Sequence, residues 1–251
     1  MTQRRPSMCM LAATPLTIHF FFKPHLRELS RYFDTSLVFN AHADTYLPPL
    51  DLHLHQLHVA MERKIAPWSD LLALLRLCRF FRRERFDMVV SVVPKAGLLG
   101  MMAAFFMRVP RRVHIFQGEV WASRRGLMRF LLKSMDMLTA RLATHVLAVS
   151  KSEIHFLEQQ GVVPHGKAKV LGSGSICGVD MDRFKPDALA RAQARNELAV
   201  SDDAVLCVFL GRLTEDKGVL DMVRAFVISA PHCPKLMLLI VGPDEEEMIV
   251  R

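Results

Sequence analysis

Two fixed cations, Arg212 and Lys217, bracket a short loop, Gly211-Arg212-Leu213-Thr214-Glu215-Asp216-Lys217-Gly218. Before it, Val205–Leu210 is an apolar run of strand length that stops at a glycine. After it, Val219–Phe226 takes up helical spacing. Strand, loop and helix start together present free backbone N–H groups, the layout that holds anions. An arginine fork and a lysine point charge beside such groups suit a diphosphate. An ordinary strand-to-helix turn with two solvated cations has the same spacing, so both readings stay open.

Two further loops carry polar clusters where strands are expected to end. The run Asp87–Val93 is nearly all apolar, as a strand covered on both faces should be, and leads into Pro94-Lys95-Ala96-Gly97. In open parallel sheets ligands bind at that end of a strand. Lys95 supplies a cation there, and small Ala96 and Gly97 would let a ligand approach the backbone; a helix start with an exposed lysine reads equally well. Arg112–Phe116 leads into Gln117-Gly118-Glu119-Val120-Trp121. Gln117 can hydrogen-bond a ligand hydroxyl but cannot act as a base near neutral pH. Glu119 could take a hydrogen bond or proton from a ligand hydroxyl, or pair with Arg124 or Arg125. Trp121 could stack on a ligand or serve as packing.

His53, His55 and His58 share an alternating stretch, but no carboxylate completes a metal set, so solvated histidines are favoured over a metal site. Ser150 and Glu153 have capping-box spacing, a local structural role. The glycines of Gly172–Gly178 do not fit G-x-G-x-x-G and no helix follows directly, which disfavours a dinucleotide loop.

Gly211–Gly218 resembles the G-R-L-x-x-x-K-G signature of the retaining family-4 glycosyltransferases, which have the GT-B fold. The resemblance extends to Pro94–Gly100, Gln117–Trp121, Val170–Ser175 and Gly178–Asp180, and is similar to polysaccharide-assembly enzymes acting on polyprenyl-diphosphate sugars. It implies that Gly211, Arg212 and Lys217 hold the diphosphate of a nucleotide-sugar donor, a UDP-sugar or similar. It implies that Lys95, Gly97, Gln117, Gly118, Glu119 and Trp121 lie on the acceptor or sugar side. It further implies retention of anomeric configuration, with no cofactor or metal. Two departures matter. Gln117 stands where the family often has histidine, so no acid–base role is carried over, and Glu119 is only a weak catalytic candidate. Nothing after Val241 supplies the family's E-x7-E region, and Glu245, Glu246 and Glu247 are not assigned to it.

The elements that must position these residues alternate between strand and helix, which predicts an α/β fold with a parallel sheet. Met8–Ala13, Ser36–Phe39, Leu52–Val59, Asp87–Val93, Arg112–Phe116 and Val146–Val149 are predicted strands; Ile18–Phe33, Leu71–Arg85, Leu98–Met107 and Gly126–Ala143 are predicted helices. In Leu71–Arg85 positions 71, 74, 75 and 78 form the expected buried face. Arg76, Arg79, Arg82, Arg83 and Arg85 lie opposite, and a solvated face is favoured over contact with anionic lipid. The boundary is expected near residue 186, giving a Rossmann-like acceptor-side domain, 1–186, and a partial nucleotide-sugar domain, 187–251. The second has too few strands for an ordinary sheet, so truncation and exposed apolar strand edges are expected.

The 251 residues are 51% hydrophobic and carry a net charge of +8. Residues 1–186 hold 26 Lys and Arg against 14 Asp and Glu, and residues 187–251 hold 7 against 11. A basic front half suits a lipid diphosphate or an anionic membrane surface. Nucleic acid is disfavoured because no binding motif or basic–aromatic interleaving is present. Five scattered cysteines without a C-x-x-C pair point to a reducing compartment. The expected location is therefore cytoplasmic or peripheral on the inner membrane face. The expected function is transfer of a sugar from a nucleoside-diphosphate sugar to a lipid-linked saccharide in cell-surface polysaccharide synthesis. An inactive remnant that binds lipid or a partner is the alternative.

Overall fold

The computed structural model describes residues 4–40, 54–61 and 66–244. His53 and Glu245–Glu247 lie outside them. The chain forms two compact units, Met1–Val179 and Asp180–Arg251; the break falls upstream of residue 186, where the sequence places it.

The first unit is a seven-stranded sheet with every pair parallel. Its strands are β1 (Ser7–Leu11), β2 (Asp34–Phe39), β3 (His55–His58), β4 (Met88–Val92), β5 (Arg111–Phe116), β6 (His145–Ala148) and β7 (Ala168–Lys169), in the order β3-β2-β1-β4-β5-β6-β7. Parallel neighbours require a crossover, and the helices supply it. α1 (Pro15–Thr17), a π-helical turn (Ile18–Phe22) and α2 (Lys23–Leu29) replace the single expected helix. Pro24 has no N–H to give to the preceding turn, so the chain widens there before continuing. Ile18, Phe22 and Leu26 cover one sheet face with Met8, Met10 and Leu37.

The other face is covered by α3 (Pro67–Glu84), α4 (Pro94–Phe106), α5 (Gly126–Leu142) and α6 (Lys151–Gln159). α4 lies between α3 and α5. Its small residues Ala96, Gly97, Gly100, Ala103 and Ala104 are buried, which seats it deeply. The fully buried side of α3 is Ala73, Leu77, Phe80 and Phe81. Of the expected 71, 74, 75 and 78, Leu74 and Cys78 pack partly buried against the same cluster, and the other two do not. The helix starts at Pro67, and its register against α4 leaves Leu71 and Leu75 in solvent.

The second unit contains α7 (Ala188–Glu197), β8 (Val205–Leu210), α8 (Val219–Ser229) and β9 (Leu236–Val241). β8 and β9 pair in parallel along six residues each. Among the described residues its buried cluster is small, built on Leu213 and Val219, and Val205, Val208 and Leu210 of β8 are exposed.

Candidate functional site

In the second unit β8 delivers the chain into the expected turn. Gly211 N–H donates to Val241 O and Leu213 N–H donates to Pro243 O, which ties the turn to the end of β9. The approach is close enough that a Cβ on Gly242 would sit 1.7 Å from Gly211 O. A single 3-10 turn, Glu215–Lys217, follows, and Gly218 at φ 76° closes it and starts α8. That left-handed conformation favours glycine. Lys217 is exposed and Arg212 half-buried, so both cations lie on the strand-to-helix turn that also bears the first free N–H groups of α8. Asp216 lies between them. The Thr214 hydroxyl donates to its carboxylate at 2.5 Å, and that bond, aided by Lys217 and Arg212, holds its pKa below the usual range.

In the first unit the loops expected to face an acceptor lie at the C-terminal ends of β4 and β5. Lys95 is mostly buried, with its ammonium 2.6 Å from Asp70 in the first turn of α3. Its charge therefore clamps α4 to α3. Gly97 makes room for a side chain, not for a ligand: a Cβ there would lie 2.4 Å from Cε1 of His114. His114 is buried, with its Nδ1 2.9 Å from Ser91 Oγ, and burial lowers its pKa to about 3, so the ring is neutral.

Trp121 is 1% exposed. Its Nε1–H donates to Asp136 Oδ2 at 2.8 Å, its ring stacks on Phe156, and the Arg129 guanidinium lies 5.1 Å from the ring centre. It is a packing residue that anchors the loop to α5 and α6, and no sugar face can reach it. Burial raises the Asp136 pKa to about 6, partly offset by the indole bond.

An open hollow of about 450 Å³ lies between the ends of β5 and β6, lined by Gln117, Gly118, Glu119, Ser150, Glu153 and Phe156 among others. Gln117 Nε2 and Glu119 Oε1 are buried without a hydrogen-bond partner among the described residues. Burial, then the neighbouring Glu153 and Asp136 carboxylates, raise the Glu119 pKa to about 7. Arginine pairing of Glu119 with Arg124 or Arg125 is not among the ion pairs of the described residues.

The residue that the sequence undervalued is Glu153. The expected box is half present: Ser150 Oγ accepts Glu153 N–H at 3.0 Å. The carboxylate turns elsewhere, with Oε1 accepting Gly118 N–H at 2.6 Å and Oε2 accepting Val149 N–H at 2.7 Å. It thus ties the two loops that form the hollow. Its S-x-x-E spacing marks a helix start, but nothing local reveals a bond to Gly118. His55 and His58 are exposed; His58 packs edge-on against Phe39, and His55 lies tilted against Phe80. Among the described residues no three His, Cys, Asp or Glu gather as a metal set.

Comparison with known proteins extends these observations. A family model described as a glycosyl transferase 4-like domain matches residues 35–174. The capsular polysaccharide biosynthesis glycosyltransferase CapM of Staphylococcus aureus is 31% identical over 189 residues, covering 75% of this chain and 49% of that protein. The Escherichia coli UDP-Gal:α-D-GlcNAc-diphosphoundecaprenol α-1,3-galactosyltransferase is 25% identical over 187 residues, covering 73% of this chain and 47% of that one. The chain thus spans about half the length of these curated relatives. Among solved structures, Anabaena HepE in complex with UDP and glucose superposes with a TM-score of 0.74 at 15% identity, covering 98% of this chain and 63% of that one. The UDP-GlcNAc 2-epimerase of Neisseria meningitidis gives a TM-score of 0.67 at 13% identity, with 97% and 67% covered. At these identities the likeness is one of fold.

Proposed function

The chain belongs to the glycosyl transferase 4-like family and has a GT-B-type α/β fold, and from that premise we propose that it serves transfer of a sugar from a nucleoside-diphosphate donor to a lipid-linked saccharide during cell-surface polysaccharide assembly. The observation that carries this reading is the turn after β8, with Arg212 and Lys217 beside the N-terminus of α8. As the bond from the anomeric carbon to the diphosphate breaks, negative charge grows on the leaving diphosphate. Two cations and aligned N–H groups stabilise that charge at the place where it develops. An acceptor hydroxyl oxygen forms the new bond and its proton passes to the departing phosphate or to solvent, with the anomeric configuration retained. The cations take the role that a metal plays elsewhere, so the proposed reaction needs no added metal or cofactor.

The name of the Escherichia coli relative pairs a UDP-sugar with a diphosphoundecaprenol acceptor, which supports both a UDP-type donor and a polyprenyl-diphosphate acceptor here. In the first unit, the free Gln117 amide and the Glu119 carboxyl are the groups offered to an acceptor hydroxyl. With its pKa near 7, Glu119 is protonated below neutral pH and can then donate a hydrogen bond, and it gains base character above that pH. The test is incubation with a panel of nucleotide-sugars and polyprenyl-diphosphate saccharides, with and without chelator, followed by proton NMR of the product. We expect transfer that survives chelation and an anomeric coupling matching the donor. An inverted product or loss of transfer on chelation would overturn the mechanism.

A further inference from the structure

A second hollow of the first unit lies at the edge of the sheet where the strands begin. It holds about 370 Å³ and is lined by Arg4, Arg5, Pro6, Asp87, Pro110 and Arg111. These residues lead into the neighbouring strands β1, β4 and β5. A strand advances about 3.3 Å per residue, so the length of β5 puts this hollow roughly 20 Å from Gln117–Glu119. Reactants of open parallel sheets bind at that other edge. A ligand here is therefore neither the sugar donor nor the acceptor.

The walls are held in place by the sheet itself. Ser7 N–H donates to Asp87 Oδ2 at 2.7 Å, and Asp87 N–H donates back to Ser7 O at 3.0 Å. Arg111 N–H donates to Asp87 O at 3.3 Å. Pro6 and Pro110 fix their own φ angles, which stiffens the two approaches. The Arg5 guanidinium donates to Ser30 O at 3.0 Å and to Arg31 O, so it is anchored at the end of α2. The Arg4 and Arg111 side chains are exposed, and no hydrogen bond or ion pair engages their guanidinium groups among the described residues. Of the acidic residues in the segments leading to these strands, Glu28 pairs with Arg31 and Glu84 with Arg83, and Asp34 does not line the hollow.

Cations beside helix C-termini offset the helix dipole. That accounts for Arg85 and Arg108, which stand in the turns after α3 and α4 at φ 53° and 56°. It does not account for Arg4, Arg5 and Arg111, which stand at strand starts. Three guanidinium groups against one carboxylate leave two positive charges in excess in the hollow. A phosphomonoester carries about −1.5 to −2 at neutral pH, and guanidinium forks match its oxygens. Ligand pockets run from about 300 to 1,000 Å³, so this one suits a phosphate on a short carbon chain rather than a nucleotide-sugar. Ser7 takes Oδ2 of Asp87, which leaves Oδ1 to accept from a hydroxyl of that chain. We propose that this hollow is a binding site for a small phosphomonoester bearing a hydroxyl, with Arg4, Arg5 and Arg111 on the phosphate and Asp87 on the hydroxyl. The inference rests on the sheet's leading edge alone, so it stands or falls separately from the sugar-transfer reaction.

The test is calorimetric titration of the full chain with glycerol 3-phosphate and, separately, with inorganic phosphate. Glycerol 3-phosphate should saturate one site and bind more tightly than inorganic phosphate. Arg4→Gln/Arg111→Gln should weaken its binding at least about tenfold, the size expected when charge-assisted hydrogen bonds are lost. Arg76→Gln/Arg79→Gln removes the same charge from exposed positions on α3 and should leave binding unchanged. Arg212→Ala/Lys217→Ala should also leave it unchanged, which separates this site from the turn after β8. Without any variant, glycerol 3-phosphate should slow phenylglyoxal modification of Arg4 and Arg111, mapped by mass spectrometry, and not that of Arg76 and Arg79. Four results would overturn the proposal: no saturable binding, equal binding by the folded Arg4→Gln/Arg111→Gln protein, equal losses in either control pair, or no protection of Arg4 and Arg111. Inorganic phosphate binding as tightly as the ester would overturn the role given to Asp87.

Discussion

Gly97 and His114 show how a residue can be marked by sequence for the wrong reason. A glycine in the loop after a buried strand suggested room for a ligand. The room is taken by the ring of His114, which comes from β5, the neighbouring strand. No spacing rule connects positions so far apart in sequence. Gly97→Ala should therefore destabilise the protein by roughly 1–3 kcal/mol through overpacking. Gly97→Ala combined with His114→Ala should cost less than the sum of the two single changes, as read by urea denaturation. Additive costs would show that the contact is not made. Trp121 was open between stacking on sugar and packing, and its bond to Asp136 decides for packing. That buried pair also gives a pH dependence. The folded pKa of Asp136 is about 6, above the ordinary 3.8, so folding favours the neutral acid. Well below 3.8 the group is neutral in both states and no penalty exists. The penalty grows as pH rises towards 6 and is constant above. Asp136→Asn keeps an acceptor for the indole and removes the charge. It should gain on the order of 2 kcal/mol over the unmodified protein at pH 7 and little at pH 4. Equal gains at both pH values would contradict this origin.

At the scale of elements, periodicity locates α3 and half of its packed face, Leu74 and Cys78, but not its most buried residues. Helical spacing was satisfied by leucines on more than one side of the helix. The choice between Leu71, Leu75 and Ala73, Leu77 depended on how the helix meets α4, which is a tertiary matter. The N-terminus of α6 was legible from Ser150 and Glu153, but its reach across to the β5 loop was not. Glu153 accepts two backbone N–H groups, one from each loop. Glutamine offers one acceptor and presents its amide to the other N–H. Glu153→Gln should thus destabilise the fold by about 1–3 kcal/mol. It should also lower the pH at which Glu119 titrates from about 7, since a charged neighbour is removed. Carbon-13 NMR of the glutamate carboxyls would follow this directly. An unchanged Glu119 titration would show that burial alone sets it.

For the whole molecule, strand and helix alternation was enough to read a parallel α/β sheet, because strands covered on both faces leave continuous apolar runs. The two-residue β7 was missed because so short an element leaves no pattern. The strand-to-helix turn after β8 is legible from Arg212, Lys217 and the glycines around them. What sequence could not show is the tie between that turn and the end of β9, which fixes its shape through Gly211 and Gly242. The central claim is that this turn carries the leaving diphosphate. The most direct measurement is the rate of sugar transfer from a nucleotide-sugar donor by the unmodified protein, Arg212→Ala and Lys217→Ala. The account predicts transfer by the first and a loss of roughly 10²–10³-fold in each variant, the size expected when a group that stabilises transition-state charge is removed. Transfer at an unchanged rate by either folded variant, or no transfer from any nucleotide-sugar, would contradict it.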